Sequence, residues 1–126
     1  MGLTKFPNGV STDNDGVLYT EIADISTAAS SWTAALPFNV QITGAYVVQE
    51  TAVTVASSVI TFEIGGTPIT GMSVTVTAGG AAGQAFASTT PTGAYTLTAG
   101  TAVEVVTDGG STTASLGRVA ISYKRV

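Results

Sequence analysis

Cysteine and histidine are both absent from the 126 residues. Without cysteine there is no disulfide framework and no thiolate metal site. Without histidine the commonest general base and the commonest metal ligand are missing together. A Ser-His-Asp or Cys-His catalytic set is therefore excluded. Charge is scarce as well, at 10% of residues, against ~25% in an ordinary soluble protein. Lys5, Arg118, Lys124 and Arg125 are the only basic residues, and the net charge is −4. A nucleic-acid footprint needs clustered Lys and Arg, so no nucleic-acid partner is expected. No apolar run approaches the ~18 residues of a membrane-spanning helix. The opening MGLTKFPNG lacks the apolar stretch of a secretory signal.

What remains is small, β-branched and neutral. Ala, Val, Thr and Ser dominate, and glycine numbers 15. That is the composition of an all-β domain whose outer faces are covered by hydroxyls. Residues 37–50, PFNVQITGAYVVQE, form the longest strand candidate. Phe38, Val40 and Ile42 alternate with Asn39, Gln41 and Thr43, the period of a half-buried strand. Gly44 interrupts the run as an expected bulge or bend. Tyr46 and Val48 then resume it, which assigns Tyr46 to the core or its edge.

The other elements follow by period and punctuation. Residues 17–23 form a strand with Leu18 and Ile22 on one face and Tyr19 and Glu21 on the other. Residues 24–35 read as a loop or short irregular strand carrying Trp32. That side chain either plugs the core with its indole N–H bonded or anchors an interface. In residues 58–64, Ile60, Phe62 and Ile64 face in. Gly65-Gly66 marks a hairpin turn. Pro68 places residues 67–70 at an edge or a strand start, and Met72, Val74 and Val76 share one face of the next strand. Residues 51–57 are a connector or short edge strand, and 78–83 a glycine-rich loop tip. Two short strands flank a Thr-Pro turn within 84–100. Val103 and Val105 face in around Glu104, and Asp108-Gly109-Gly110 is a turn. Val119, Ile121 and Tyr123 alternate with Arg118, Ala120, Ser122 and Lys124 in the closing strand.

Seven or eight short strands with turn residues between them predict an antiparallel β-sandwich, jelly-roll-like in its connections. The expected organisation is an extended N-terminal arm over residues 1–16 and a sandwich over 17–126. Glu21, Glu50, Glu63 and Glu104 fall at outward phases and read as solvated. The stretch Ser11-Thr12-Asp13-Asn14-Asp15-Gly16 has oxygens at alternate positions and a sixth glycine. It lacks a first Asp and a bidentate twelfth ligand, so a weak cation is the most it would hold. No cofactor motif is present, and no enzymatic activity is expected.

Three stretches carry a resemblance. They are MGLTKFPNG at the start, VLYTEIADISTAASSWTAALPFNVQITGAYVV, and FEIGGTPITG through TAGTAVEVVTDGGSTT. In this order they resemble the capsid decoration (cement) proteins of tailed bacteriophages. The resemblance implies a β-sandwich on the outer surface of the virion, made in the host cytoplasm, that stabilises the head. The implied partners are the major capsid protein and a second or third copy of the chain. The implied contacts are Leu3, Lys5, Phe6, Pro7 and Asn8 in the arm, together with Trp32. The alternative is a head-fibre or carbohydrate-binding module. Such a module needs a groove of exposed aromatics, drawn from Trp32, Tyr19, Tyr46, Tyr95 and Tyr123.

Overall fold

The computed structural model describes residues 15–126, which contain nine strands and no helix. These are β1 (Asp15–Ile22), β2 (Ala29–Trp32), β3 (Val40–Gln49), β4 (Ser58–Ile64), β5 (Thr67–Val76), β6 (Ala85–Ala87), β7 (Thr96–Leu97), β8 (Val103–Thr107) and β9 (Gly117–Arg125). One sheet runs β1-β9-β3-β6, with β7 also pairing β3, and the other runs β2-β8-β4-β5. Every pairing is antiparallel.

The order is that of one long hairpin rolled up. The first strand pairs the last, β2 pairs β8, β3 pairs β6 and β7, and β4 pairs β5. With β6 and β7 counted as one broken strand, this is the eight-strand jelly roll of two Greek keys. The β4–β5 hairpin is the tip of the roll. Ile64 is opposite Thr67, and the two residues between them, Gly65 and Gly66, have φ of 59° and 80°. Two left-handed residues in a two-residue loop match the right-handed twist of the strands they join.

The core lies between the sheets. Ile42, Val47, Val119 and Ile121 face Ile60, Phe62, Val74, Val103 and Val105 within one buried cluster. The expected inward faces of residues 58–64, 72–76, 103–105 and 119–123 hold, although Ile64 and Tyr123 are only partly buried. Pro68 lies near the start of β5, an edge strand, where a missing N–H does least harm. Residues 51–57 form no strand, yet Val53 is fully buried.

Two expectations about strands needed correction. The register slips between Ile42 and Gly44, so Gly44 does mark a bulge. The extra residue reverses the facing beyond it. Ala45, Val47 and Gln49 are buried, while Tyr46, expected at the core or its edge, is 57% exposed. The first strand also starts earlier than expected. Asp15 and Gly16 pair with Lys124 and Tyr123 inside β1. The last two positions of the suggested cation loop are thus sheet residues, and its remaining positions lie outside the described residues.

Loops 23–28, 50–57, 77–84 and 108–116 meet at one end of the sandwich, bound by buried hydroxyls. Ser58 Oγ and Thr107 Oγ1 both donate to the Ile25 carbonyl, and Ser58 Oγ accepts from Ser111 N. Asp24 Oδ1 accepts from Ser26 N at 2.9 Å, Ser26 Oγ at 2.6 Å and Ser115 N at 3.4 Å. These bonds, the Ser26 hydroxyl foremost, hold the Asp24 carboxyl below its ordinary range. A lowered folded value means stabilisation that is complete above the unfolded value of ~3.9 and is lost as pH falls through the folded one. Asp24→Asn should therefore flatten the acid limb of stability. Urea melts between about pH 5 and about pH 2 would measure this.

Candidate interaction surface

The two long edges of the sandwich are finished differently. On the β5–β6 side, residues 88–93 bridge the sheets. Ser88 N donates to Ala45 O, Thr89 N to Ser73 O, Thr92 N to Thr70 O and Thr70 N to Gly93 O, all between 2.8 and 3.0 Å. Backbone bonds thus close that edge. On the opposite side β1 and β2 lie at the margins of their sheets, and the links between them involve side chains. Thr20 Oγ1 is 2.7 Å from Ser31 Oγ and donates to the Trp32 carbonyl at 3.1 Å. Among the described residues, β1 pairs only with β9. Its sequence, DGVLYTEI, holds none of the Lys or Pro residues that usually blunt a free edge. Val17 on this strand is 63% exposed.

Trp32 stands on β2, 57% exposed, with Glu104 as its cross-strand neighbour. The core-plug reading of this residue is therefore overturned. A strand of four residues at the sheet margin, with the pattern exposed-exposed-intermediate-exposed, has no interior for an indole to enter. Its outward row continues from Glu104 to Glu63, so two carboxylates stand directly opposed there. Leu3, Lys5, Phe6, Pro7 and Asn8 lie outside the described residues.

The outer face of the β1-β9-β3-β6 sheet is built in cross-strand rows. One row is Tyr19–Ala120–Tyr46–Ala87. The next is Glu21–Arg118–Val48–Ala85. Arg118 Nη1 donates to Glu21 Oε2 at 2.7 Å, and Nη2 donates to Glu50 Oε2 at 2.8 Å. The Glu50 bond, and after it the Tyr19 hydroxyl, hold the guanidinium above its ordinary range. All three charged side chains are well exposed, so the network orders the surface more than it stabilises the fold. On the other side of the tyrosine row, Thr43 Oγ1 and Ser122 Oγ are 2.8 Å apart. A shallow cleft of about 530 Å³ opens beside them, lined by Asp15, Val17 and Lys124 among others.

Residue phase missed Tyr46 and with it the pairing of two exposed tyrosines on one row. The signal was present, because a bulge at Gly44 requires the alternation after it to be counted from Ala45. Tyr95 and Tyr123, two of the other aromatics considered for a groove, are partly buried and pack on the core. Among the described residues no group of three or more acidic side chains converges. Comparison with protein-family models, with curated proteins and with solved structures returned no match.

Proposed function

We propose that this chain is a non-enzymatic virion structural protein. In this reading it is a capsid decoration protein that binds the outside of the major capsid protein shell and braces the head. The observation that carries the reading is the contrast between the edges. One is closed by backbone bonds, while the other offers an eight-residue strand whose only partner among the described residues is β9. An open strand edge is a template for strand addition by another chain, in which backbone bonds give affinity and flanking side chains give specificity. Val17, Tyr19 and Trp32 are exposed large hydrophobic side chains along that margin. Residues 1–14 enter β1 directly, so an arm lying on the shell would lead into the same edge. The jelly roll, the low charge and the ordered resemblance of three stretches to decoration proteins support the same reading. Self-association as a dimer or trimer belongs to the proposal, since symmetric copies on a lattice gain avidity.

The test is decoration of heads from the phage that encodes the chain, stripped of this protein. Val17→Lys places a charge on the free edge at an exposed position. It is expected to lower head occupancy roughly tenfold or more with an unchanged melting temperature. Removing residues 1–14 leaves β1 whole and should have a comparable effect. If both variants decorate heads like the unaltered chain, neither the edge nor the arm is the contact.

A further inference from the structure

The outer face of the β1-β9-β3-β6 sheet carries a feature that head binding through the β1 edge leaves free. Strand addition extends a sheet in its own plane, whereas the side chains of this face project perpendicular to that plane. Tyr19 and Tyr46 are 53% and 57% exposed, and both are cross-strand neighbours of Ala120. Val119 and Ile121 are buried, so Ala120 and both tyrosines share the outward side. Adjacent strands are ~4.8 Å apart, which places β1 and β3 roughly 10 Å apart with β9 between them. A flat ring stacked at about 3.5–4 Å from each of two aromatic faces needs about 7–8 Å. With only the Ala120 methyl between the two tyrosines, the strand spacing leaves room for such a slot over an alanine floor.

The ends of the slot are polar and of two kinds. Toward one end stand Glu21, Arg118 and Glu50. There the Tyr19 hydroxyl donates to Glu21 Oε2 at 2.6 Å and accepts from Arg118 Nη1 at 3.4 Å, which fixes the Tyr19 ring. Toward the other end are the hydroxyls of Thr43 and Ser122, with a second hollow beside Tyr46 lined by Ser88 and Thr89. Apolar ring faces bordered by hydroxyl, carboxylate and guanidinium groups match one ligand chemistry. A pyranose ring presents flat C–H faces and an edge of hydroxyls that both donate and accept. At the first end Glu21 and Glu50 are both paired with Arg118, which matches a neutral ligand there. A protein anchor would instead look for a deep pocket with large apolar walls, and the floor here is alanine, serine and threonine.

We propose that this face is a saccharide-binding site. A neutral hexopyranose unit of a longer glycan sits between the Tyr19 and Tyr46 rings over Ala120, and the chain continues along the Thr43–Ser122 hollows. The site belongs to the isolated chain and does not depend on the decoration reading.

The experiment titrates the full-length chain with maltohexaose, cellohexaose and chitohexaose at millimolar concentration, and separately with a polyproline decapeptide. The readout is the backbone amide spectrum. At least one hexasaccharide is expected to shift the amides of Tyr19, Tyr46 and Ala120. Tyr19→Ala and Tyr46→Ala should each weaken that binding about five- to tenfold. Ala120→Leu, which fills the slot, should abolish it, and melting curves should show all three variants folded. The proposal is overturned if no hexasaccharide shifts these amides, if the shifts persist in all three variants, or if only the polyproline peptide produces them. Because no heads are present, failure here leaves the decoration reading standing. Val17 also lines the cleft beside Thr43 and Ser122, so removal of residues 1–14 is the head-binding test that is independent of the slot.

Discussion

Phe62→Ala is expected to lower the unfolding free energy by about 3–5 kcal/mol. Phe62 has no exposed surface and is the largest fully buried side chain among the described residues. It lies on β4, an inner strand of its sheet with β8 on one side and β5 on the other. Its cross-strand partner on β8 is Val105, also fully buried. The neighbouring core residues are mostly valine and isoleucine, stiff at χ1 and held on strands. They cannot collapse into the space, so the cavity adds to the lost transfer energy. A drop in melting temperature of order 15 °C follows for a domain of this size. Thr61→Ala, next to it on the outer face, should change the unfolding free energy by no more than ~0.5 kcal/mol. Urea melts of both variants measure the contrast.

Gly109→Ala is expected to cost about 3 kcal/mol, through two separate effects. Its φ is +70°, a left-handed conformation in which any Cβ crowds the following carbonyl. A Cβ there would also lie 2.5 Å from Ala28 N and 3.0 Å from the Thr27 carbonyl carbon. Those are backbone atoms of the 23–28 loop, which cannot rotate aside as a side-chain tip can. Gly83 separates the two effects. It has φ of +82° with nothing near its Cβ position, so Gly83→Ala should show the conformational cost alone, about 1 kcal/mol. Equal destabilisation of the two variants would mean that the approach of the 23–28 and 108–116 loops adds nothing.

The alternation of short strands was legible because most of them bury one face. Ile60 and Phe62, Met72 with Val74 and Val76, and Val103 with Val105 all face inward as their phase requires. The Gly65-Gly66 hairpin was readable for a local reason, since few residue pairs accept two left-handed conformations. Strand pairing was less readable. That β1 joins β9 depends on contacts a hundred residues apart, and no local period encodes it. Phase also fails where a bulge adds a residue. Tyr46 and Val48 changed sides with Ala45 and Val47 for that reason alone, and the row that joins Tyr19, Ala120 and Tyr46 was hidden by the same step. Trp32 was ambiguous because aromatic size argues for burial, whereas the brevity of β2 decides against it. The contrast between an edge closed by residues 88–93 and an open one is a property of the sheet order, and composition carries no trace of it.

The account turns on β1 being the strand a partner covers. Amide hydrogen exchange, compared between the free chain and the chain bound to heads, addresses that directly. The prediction is that the β1 amides, which pair with β9 on one side only among the described residues, gain protection on heads. Residues 88–93, already tied to both sheets, should exchange alike in the two states. Unchanged exchange in β1 alongside new protection on the β5–β6 side or on the outer sheet faces would contradict the account.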